Sequence, residues 1–206
     1  MSVQKFRELH YTNKPLIIAN VWDVISSKAA EDSGFLAVGT SSHAIANMLG
    51  YEDGQNISFD EMLFVIDRIS KSINIHVSAD IENGFTEDLN ILNTYIEKLV
   101  DIGVVGINLE DGDVSGEKRK LADENILANK IKSIKNYLNN KGKDIFINAR
   151  IDTYTTKVEN ALEETIKRGK IYKEAGADGI FVPLIEEKSD IENVINEIGL
   201  PLNIVI

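Results

Sequence analysis

Short, mainly apolar runs recur along the chain at 16–19, 36–38, 75–77, 105–109, 145–148, 179–182 and 202–206. Runs of three to five mainly apolar residues without regular polar alternation are expected of strands covered on both faces, as in a parallel sheet. The segments between them carry helical periodicity. Over 58–72, Met62, Val65, Ile66 and Ile69 make an apolar stripe, and Ser58 with Glu61 has the spacing of a capping box. Further helices are expected over 23–33, 89–101, 123–139, 158–175 and 189–198, with a short one over 44–49. Strand and helix alternate strictly.

A weak internal repeat supports this order. Asp32-Ser33-Gly34-Phe35-Leu36, Asp101-Ile102-Gly103-Val104-Val105 and Glu174-Ala175-Gly176-Ala177-Asp178 each end a helix and begin a strand. The glycine suits the left-handed residue that closes a helix, because it has no Cβ to clash there. Units of about thirty residues favour a parallel barrel or a doubly wound sheet. The latter would carry a glycine-rich phosphate loop after an early strand, whereas the first strand is followed by Asn20-Val21-Trp22-Asp23. The expected fold is therefore an α/β chain of the (β/α)8 TIM-barrel type. Seven strands are accounted for, so residues 1–206 read as one domain truncated after strand seven and lacking the final strand and helices. A fragment of a longer chain and closure by a second subunit are both open at this stage.

Composition narrows the chemistry. The 206 residues include no cysteine, which removes disulfides, thiolate ligands and cysteine nucleophiles. A net charge of −11 opposes nucleic acid and anionic membranes. No apolar run is long enough to span a bilayer, and the N-terminus lacks a signal-peptide core, so a cytoplasmic location is expected. The one tight basic run, Lys118-Arg119-Lys120, reads as a solvated loop. His10 is expected at the surface, His76 in the core or barrel lining, and Trp22 packed under the site.

Polar residues gather where strands leave the sheet: Asn20 and Asp23, Ser41 and Ser42, Asp80 and Glu82, Glu110 and Asp111, Arg150 and Asp152. Barrel active sites occupy this face. A carboxylate directly after a buried strand is costly unless a cation or hydrogen bonds compensate it. Asp80, Glu82 and Glu110 could share a hard divalent cation, or each could cap a following helix. Arg150 presents a planar fork to an anionic substrate group or, alternatively, pairs with one of these acids. Asp152 and Asn20 are candidate supports for their neighbours.

Taken together, Gly39-Thr40-Ser41-Ser42 with Leu49-Gly50-Tyr51-Glu52-Asp53-Gly54, Ser78-Ala79-Asp80-Ile81-Glu82-Asn83-Gly84-Phe85, Gly106-Ile107-Asn108-Leu109-Glu110-Asp111, Asn148-Ala149-Arg150 and Ala175-Gly176-Ala177-Asp178-Gly179-Ile180-Phe181-Val182-Pro183 resemble the phosphoenolpyruvate mutase/isocitrate lyase superfamily over nearly the whole chain. The resemblance implies a Mg2+ site (Mn2+ as a substitute) at Asp80, Glu82 and Glu110. It implies a substrate carboxylate held by Ser41, Ser42 and His43, an anionic group held by Arg150, and Asp53 on a loop beside the reacting centre. The catalytic set so implied is Asp53, Glu110 and Arg150, acting on a small 2-oxo acid through an enolate-like intermediate. The family also implies a homo-oligomer when the full barrel is present.

Three departures narrow the reaction. The lyases that use an acid/base cysteine have no counterpart in a chain without cysteine. The phosphonate-forming mutases carry a lysine after the Glu-Asp pair, where Gly112 stands. Pro183 stands where the mutase has a histidine. The expected reaction is thus C–C cleavage or rearrangement ahead of P–C chemistry, with a catalytically silent oxo-acid-binding paralogue as the alternative.

Overall fold

The computed structural model describes residues 1–52, 57–113 and 119–205. Seven parallel strands form one sheet in the order β1 (Ile18–Val21), β2 (Ala37–Thr40), β3 (His76–Asp80), β4 (Gly106–Glu110), β7 (Phe146–Arg150), β8 (Gly179–Phe181) and β9 (Leu202–Asn203). The spatial order follows the chain order, as in a (β/α)8 barrel. The expected α/β fold of the (β/α)8 type, with seven strands, is borne out. A two-residue ribbon, β5 (Gly112–Asp113) with β6 (Lys120–Leu121), stands outside this sheet and pairs antiparallel.

Helices α2 (Val24–Asp32), α4 (Phe59–Ser70), α5 (Leu89–Asp101), α6 (Glu124–Asn140), α7 (Ala161–Ala175) and α8 (Lys188–Ile198) fill the expected connections, and α3 (Ser42–Met48) is the short helix after β2. The Ser58–Glu61 capping box is present on α4, and Met62, Val65, Ile66 and Ile69 are all buried. The repeated glycines Gly34, Gly103 and Gly176 sit at φ 85°, 92° and 108°, the left-handed region that L side chains rarely enter. Val38, Val77, Ala79, Ile107, Leu109, Ile147, Ala149 and Ile180 face outward from the strands into the layer beneath the helices. This layer is the main core.

The helix α1 (Val3–Leu9) is absent from the expected elements. Its Phe6 is 1% exposed and forms a separate cluster with Ala37, Val105 and Phe146 on the inner face of the sheet, at the amino ends of the strands. Arg7 secures the helix from the other side through Asp144 (2.8 Å) and Asp178 (3.0 Å). His10 is consequently no surface residue. It is part-buried, stacked on Phe146 at 4.4 Å and edge-on to Phe6 at 4.7 Å, because α1 folds under the barrel and carries it inside. His76 is a lining residue as expected, stacked on Phe6. Trp22 runs against expectation: it is 42% exposed, since the chain turns outward into α2 at this point. No helix among the described residues is long and apolar enough to cross a membrane.

Candidate active site

A cavity of about 540 Å³ lies inside the curled sheet and opens at the carboxyl ends of the strands. Inward positions alternate along each strand, so it is lined by polar residues in layers. Ser78, Asn108 and Asn148 lie in the middle, and Asp80, Glu110 and Arg150 two residues further on. Asn148 donates to Asn108 (2.9 Å) and accepts from Asn203 (2.9 Å), an amide chain across β4, β7 and β9. Ser41, Ser42, His43, Glu82, Asn20 and Pro183 complete the part of the lining that sequence reasoning singles out.

The acids differ in how they are held. Asp80 accepts the Ser42 hydroxyl at 2.6 Å and its backbone amide at 3.4 Å. Ser42 is therefore engaged within the protein, holding Asp80. Ser41 caps α3 by accepting from Ala44, and His43 faces the same cavity with Nε2 beside the Asn47 amide at 2.9 Å. Asp23 caps α2, forming a capping box with Ser26. Glu82 is 3% exposed and has φ 51°, a backbone conformation that is unfavourable outside glycine. Strain of this kind collects at functional sites.

Glu110, 3% exposed, is opposite Arg150 in the β4–β7 register and pairs with its Nη1 at 3.0 Å. Burial pushes its carboxyl up to about 7, against the pull of Arg150. Arg150 also meets Asp152 through Nε at 2.8 Å and lies over the Phe181 ring. The ion-pair alternative for Arg150 is therefore realised, in a residue that still faces the cavity. Asp111, next to Glu110, turns the other way. It accepts from the Asp152 amide (2.9 Å), Tyr172 (2.8 Å) and Arg168 (3.0 Å), and so fastens the end of β4 to the end of β7 and to α7.

The basic run is a correction to the sequence reading. Lys120 is exposed, but Arg119 reaches back across the β5–β6 ribbon into the cavity. Its Nη1 is 2.9 Å from Glu110 and bonded to Asp152. Two buried carboxylates draw it in. Nothing local in the sequence distinguishes it from its neighbours; the only signal is that the acids across the ribbon need counter-charges. Asp53 lies outside the described residues.

Among the described residues no three carboxylate or histidine side chains are gathered into a ready metal cage. Asp80, Glu82 and Glu110 nevertheless line one cavity and supply the hard oxygen donors that Mg2+ takes. In the arrangement seen, Asp80 is turned to Ser42 and Glu110 to the two arginines. The donor chemistry fits a divalent cation, and Glu110 would exchange a guanidinium contact to join it.

Comparison with known proteins shows the family and the fold. A family model described as phosphoenolpyruvate phosphomutase matches residues 6–206. An uncharacterised protein of Mycobacterium tuberculosis is 32% identical over 198 residues, covering 96% of this chain and 72% of its own. The 2,3-dimethylmalate lyase of Eubacterium barkeri is 30% identical over 198 residues, covering 92% of this chain and 66% of its own. A solved Burkholderia cenocepacia J2315 protein, assigned provisionally as a phosphonomutase, superimposes with a TM-score of 0.92 at 32% identity, over 98% of this chain and 83% of that one.

Proposed function

The chain belongs to the phosphoenolpyruvate phosphomutase family, within the phosphoenolpyruvate mutase/isocitrate lyase superfamily, and from that premise we propose that it is a Mg2+-dependent enzyme that cleaves or rearranges a C–C bond next to a small 2-oxo acid. P–C chemistry ranks second, since Gly112 and Pro183 replace the residues that the resemblance assigns to phosphonate transfer. The observation that carries the reading is the convergence of Asp80, Glu82, Glu110 and Arg150, from three neighbouring strands, on one cavity at the carboxyl ends.

In this reading Asp80, Glu82 and Glu110 hold the cation directly or through water. A divalent cation there supplies positive charge beside the oxo oxygen, where negative charge grows as the bond breaks. Arg150 receives an anionic group of the substrate with two parallel N–H bonds and fixes its orientation. Ser42 holds Asp80 at its working position, and the 41–43 segment borders the substrate carboxylate. The amide chain of Asn108, Asn148 and Asn203 gives the cavity floor a fixed set of donors and acceptors. Proton handling falls to Asp53 or a bound water.

The test is a turnover screen of oxaloacetate, substituted malates and phosphonopyruvate with and without Mg2+, in the wild type and in Asp80→Ala. Metal-dependent turnover lost in the variant is expected; equal turnover in both removes the metal role. A binding protein without turnover is the second reading, favoured by the engagement of Glu110 with two guanidinium groups. Metal-dependent oxalate binding by calorimetry, with no reaction across the screen, would select it.

A further inference from the structure

Arg119 occupies a place prepared for it. The ribbon pairs Gly112 with Leu121 and Asp113 with Lys120, so Arg119 stands one residue beyond the last pair, and its guanidinium folds back over Gly112. A Cβ added to Gly112 would come within 2.8 Å of Arg119 Nη1 and closer still to Asp152 Oδ2. Only a residue without a side chain leaves room for the guanidinium to lie over position 112. The positive charge is therefore delivered from across the ribbon into the space that a side chain at 112 would fill.

Arg119 and Arg150 approach the cavity from different elements and are joined by two carboxylates. Glu110 bridges Nη1 of Arg119 (2.9 Å) and Nη1 of Arg150 (3.0 Å). Asp152 bridges Nη1 of Arg119 and Nε of Arg150. Each acid touches both arginines, so the two guanidinium groups share the same pair of carboxylate partners. A guanidinium has five N–H donors, and the contacts among the described residues use only Nη1 of Arg119 and Nη1 and Nε of Arg150. Both arginines line the cavity.

We propose that Arg119 is a specificity-determining residue which, with Arg150, receives an anionic group of the substrate remote from its 2-oxo acid end, so that the site selects substrates carrying a second carboxylate. This rests on the 2-oxo acid reading of the cavity. The paired arginines, which hydrogen-bond Asp152 and lie at ion-pair distance from Glu110, would hold the remote carboxylate by charge-assisted bonds from two planar forks.

The test titrates the Mg2+-loaded protein by calorimetry with two probes: oxalate, which carries only the chelating end, and 2-oxoglutarate, which adds a remote carboxylate. Arg119→Gln is expected to weaken 2-oxoglutarate on the order of tenfold and to leave oxalate unchanged. Arg119→Lys, which keeps the charge without the fork, should fall between. Gly112→Ala should reproduce the selective loss with Arg119 intact. Equal weakening of both probes, or of neither, overturns the proposal, since a purely structural counter-ion would not discriminate them. Wild-type protein that binds neither probe overturns the 2-oxo acid reading itself; oxalate bound normally with no selectivity change confines the failure to Arg119. Melting curves accompany each variant, and if Arg119→Gln does not fold, Arg119→Lys decides the comparison.

Discussion

Asp111 is 2% exposed, and its charge is tolerable only because Arg168, Tyr172 and the Asp152 amide converge on it. Burial still holds its carboxyl above the usual range. Removing the cation should therefore cost far more than removing the hydroxyl. Arg168→Leu is expected to destabilise by roughly 3–5 kcal/mol, the cost of stranding a buried charge, and Tyr172→Phe by about 1 kcal/mol; urea denaturation of the two variants measures the difference. His10 behaves oppositely in pH. Burial against Phe6 and Phe146 lowers its pKa from the ordinary 6.5, so the folded protein binds the proton less readily than the unfolded chain. Its contribution to stability is complete above about pH 6.5 and is lost as pH falls below that value. Melting temperatures of wild type and His10→Gln between pH 5 and 8 should diverge in slope on the acid side, and parallel curves would contradict this. Residues of this kind differ in legibility. Asp80, Glu110 and Arg150 stand directly after apolar runs, where the strand period places them in the barrel mouth. Arg119 stands in a run of three cations whose local pattern is that of any solvated loop, and its partners come from the ends of two other strands.

At the scale of elements, those with a strong internal period were readable and those defined by a single anchor were not. The stripe on α4 and its capping box stand in the sequence, whereas α1 has seven residues and one buried side chain, Phe6. The ribbon β5–β6 has two residues a side, too few for any alternation to register. The start of α7 falls at Ala161, three residues after the expected position, because Lys157 and Asn160 adopt φ 54° and 57° and turn the chain before the helix begins. Packing between α7 and α8 depends on Gly169, where an added Cβ would meet the Cδ1 atom of Ile198 head on. Alanine is the better helix former by about 1 kcal/mol, yet Gly169→Ala should destabilise by about 1–3 kcal/mol through overpacking. Ile198→Val removes the obstructing methyl. On that background the same substitution should become neutral or stabilising, and the double-mutant cycle read by chemical denaturation should show a coupling of at least about 1 kcal/mol.

The whole molecule couples a net charge of −11 to a site whose floor is neutral amides and whose mouth is acidic. An acidic surface favours approach of a divalent cation and opposes approach of an anionic substrate, so the two should bind in order, cation first. Six βα units and a seventh strand share one main core, and the Glu110–Arg150 and Asp111–Asp152 contacts tie the strand ends together. Ligand binding at the mouth should therefore raise the stability of the entire fold. Linkage sets the size: a ligand at a hundred times its Kd stabilises by about 2.7 kcal/mol. For a domain of this length that corresponds to a rise in Tm of roughly 5–10 °C. Mg2+ with oxalate at such concentrations is expected to produce that rise in a single transition, and each alone a smaller one. Asp80→Ala should lose the shift, measured against its own Tm without ligand, because Asp80 is one of the proposed cation donors. A full shift in that variant would mean the cation is held elsewhere. Two separate transitions would mean that the βα units do not unfold as one body.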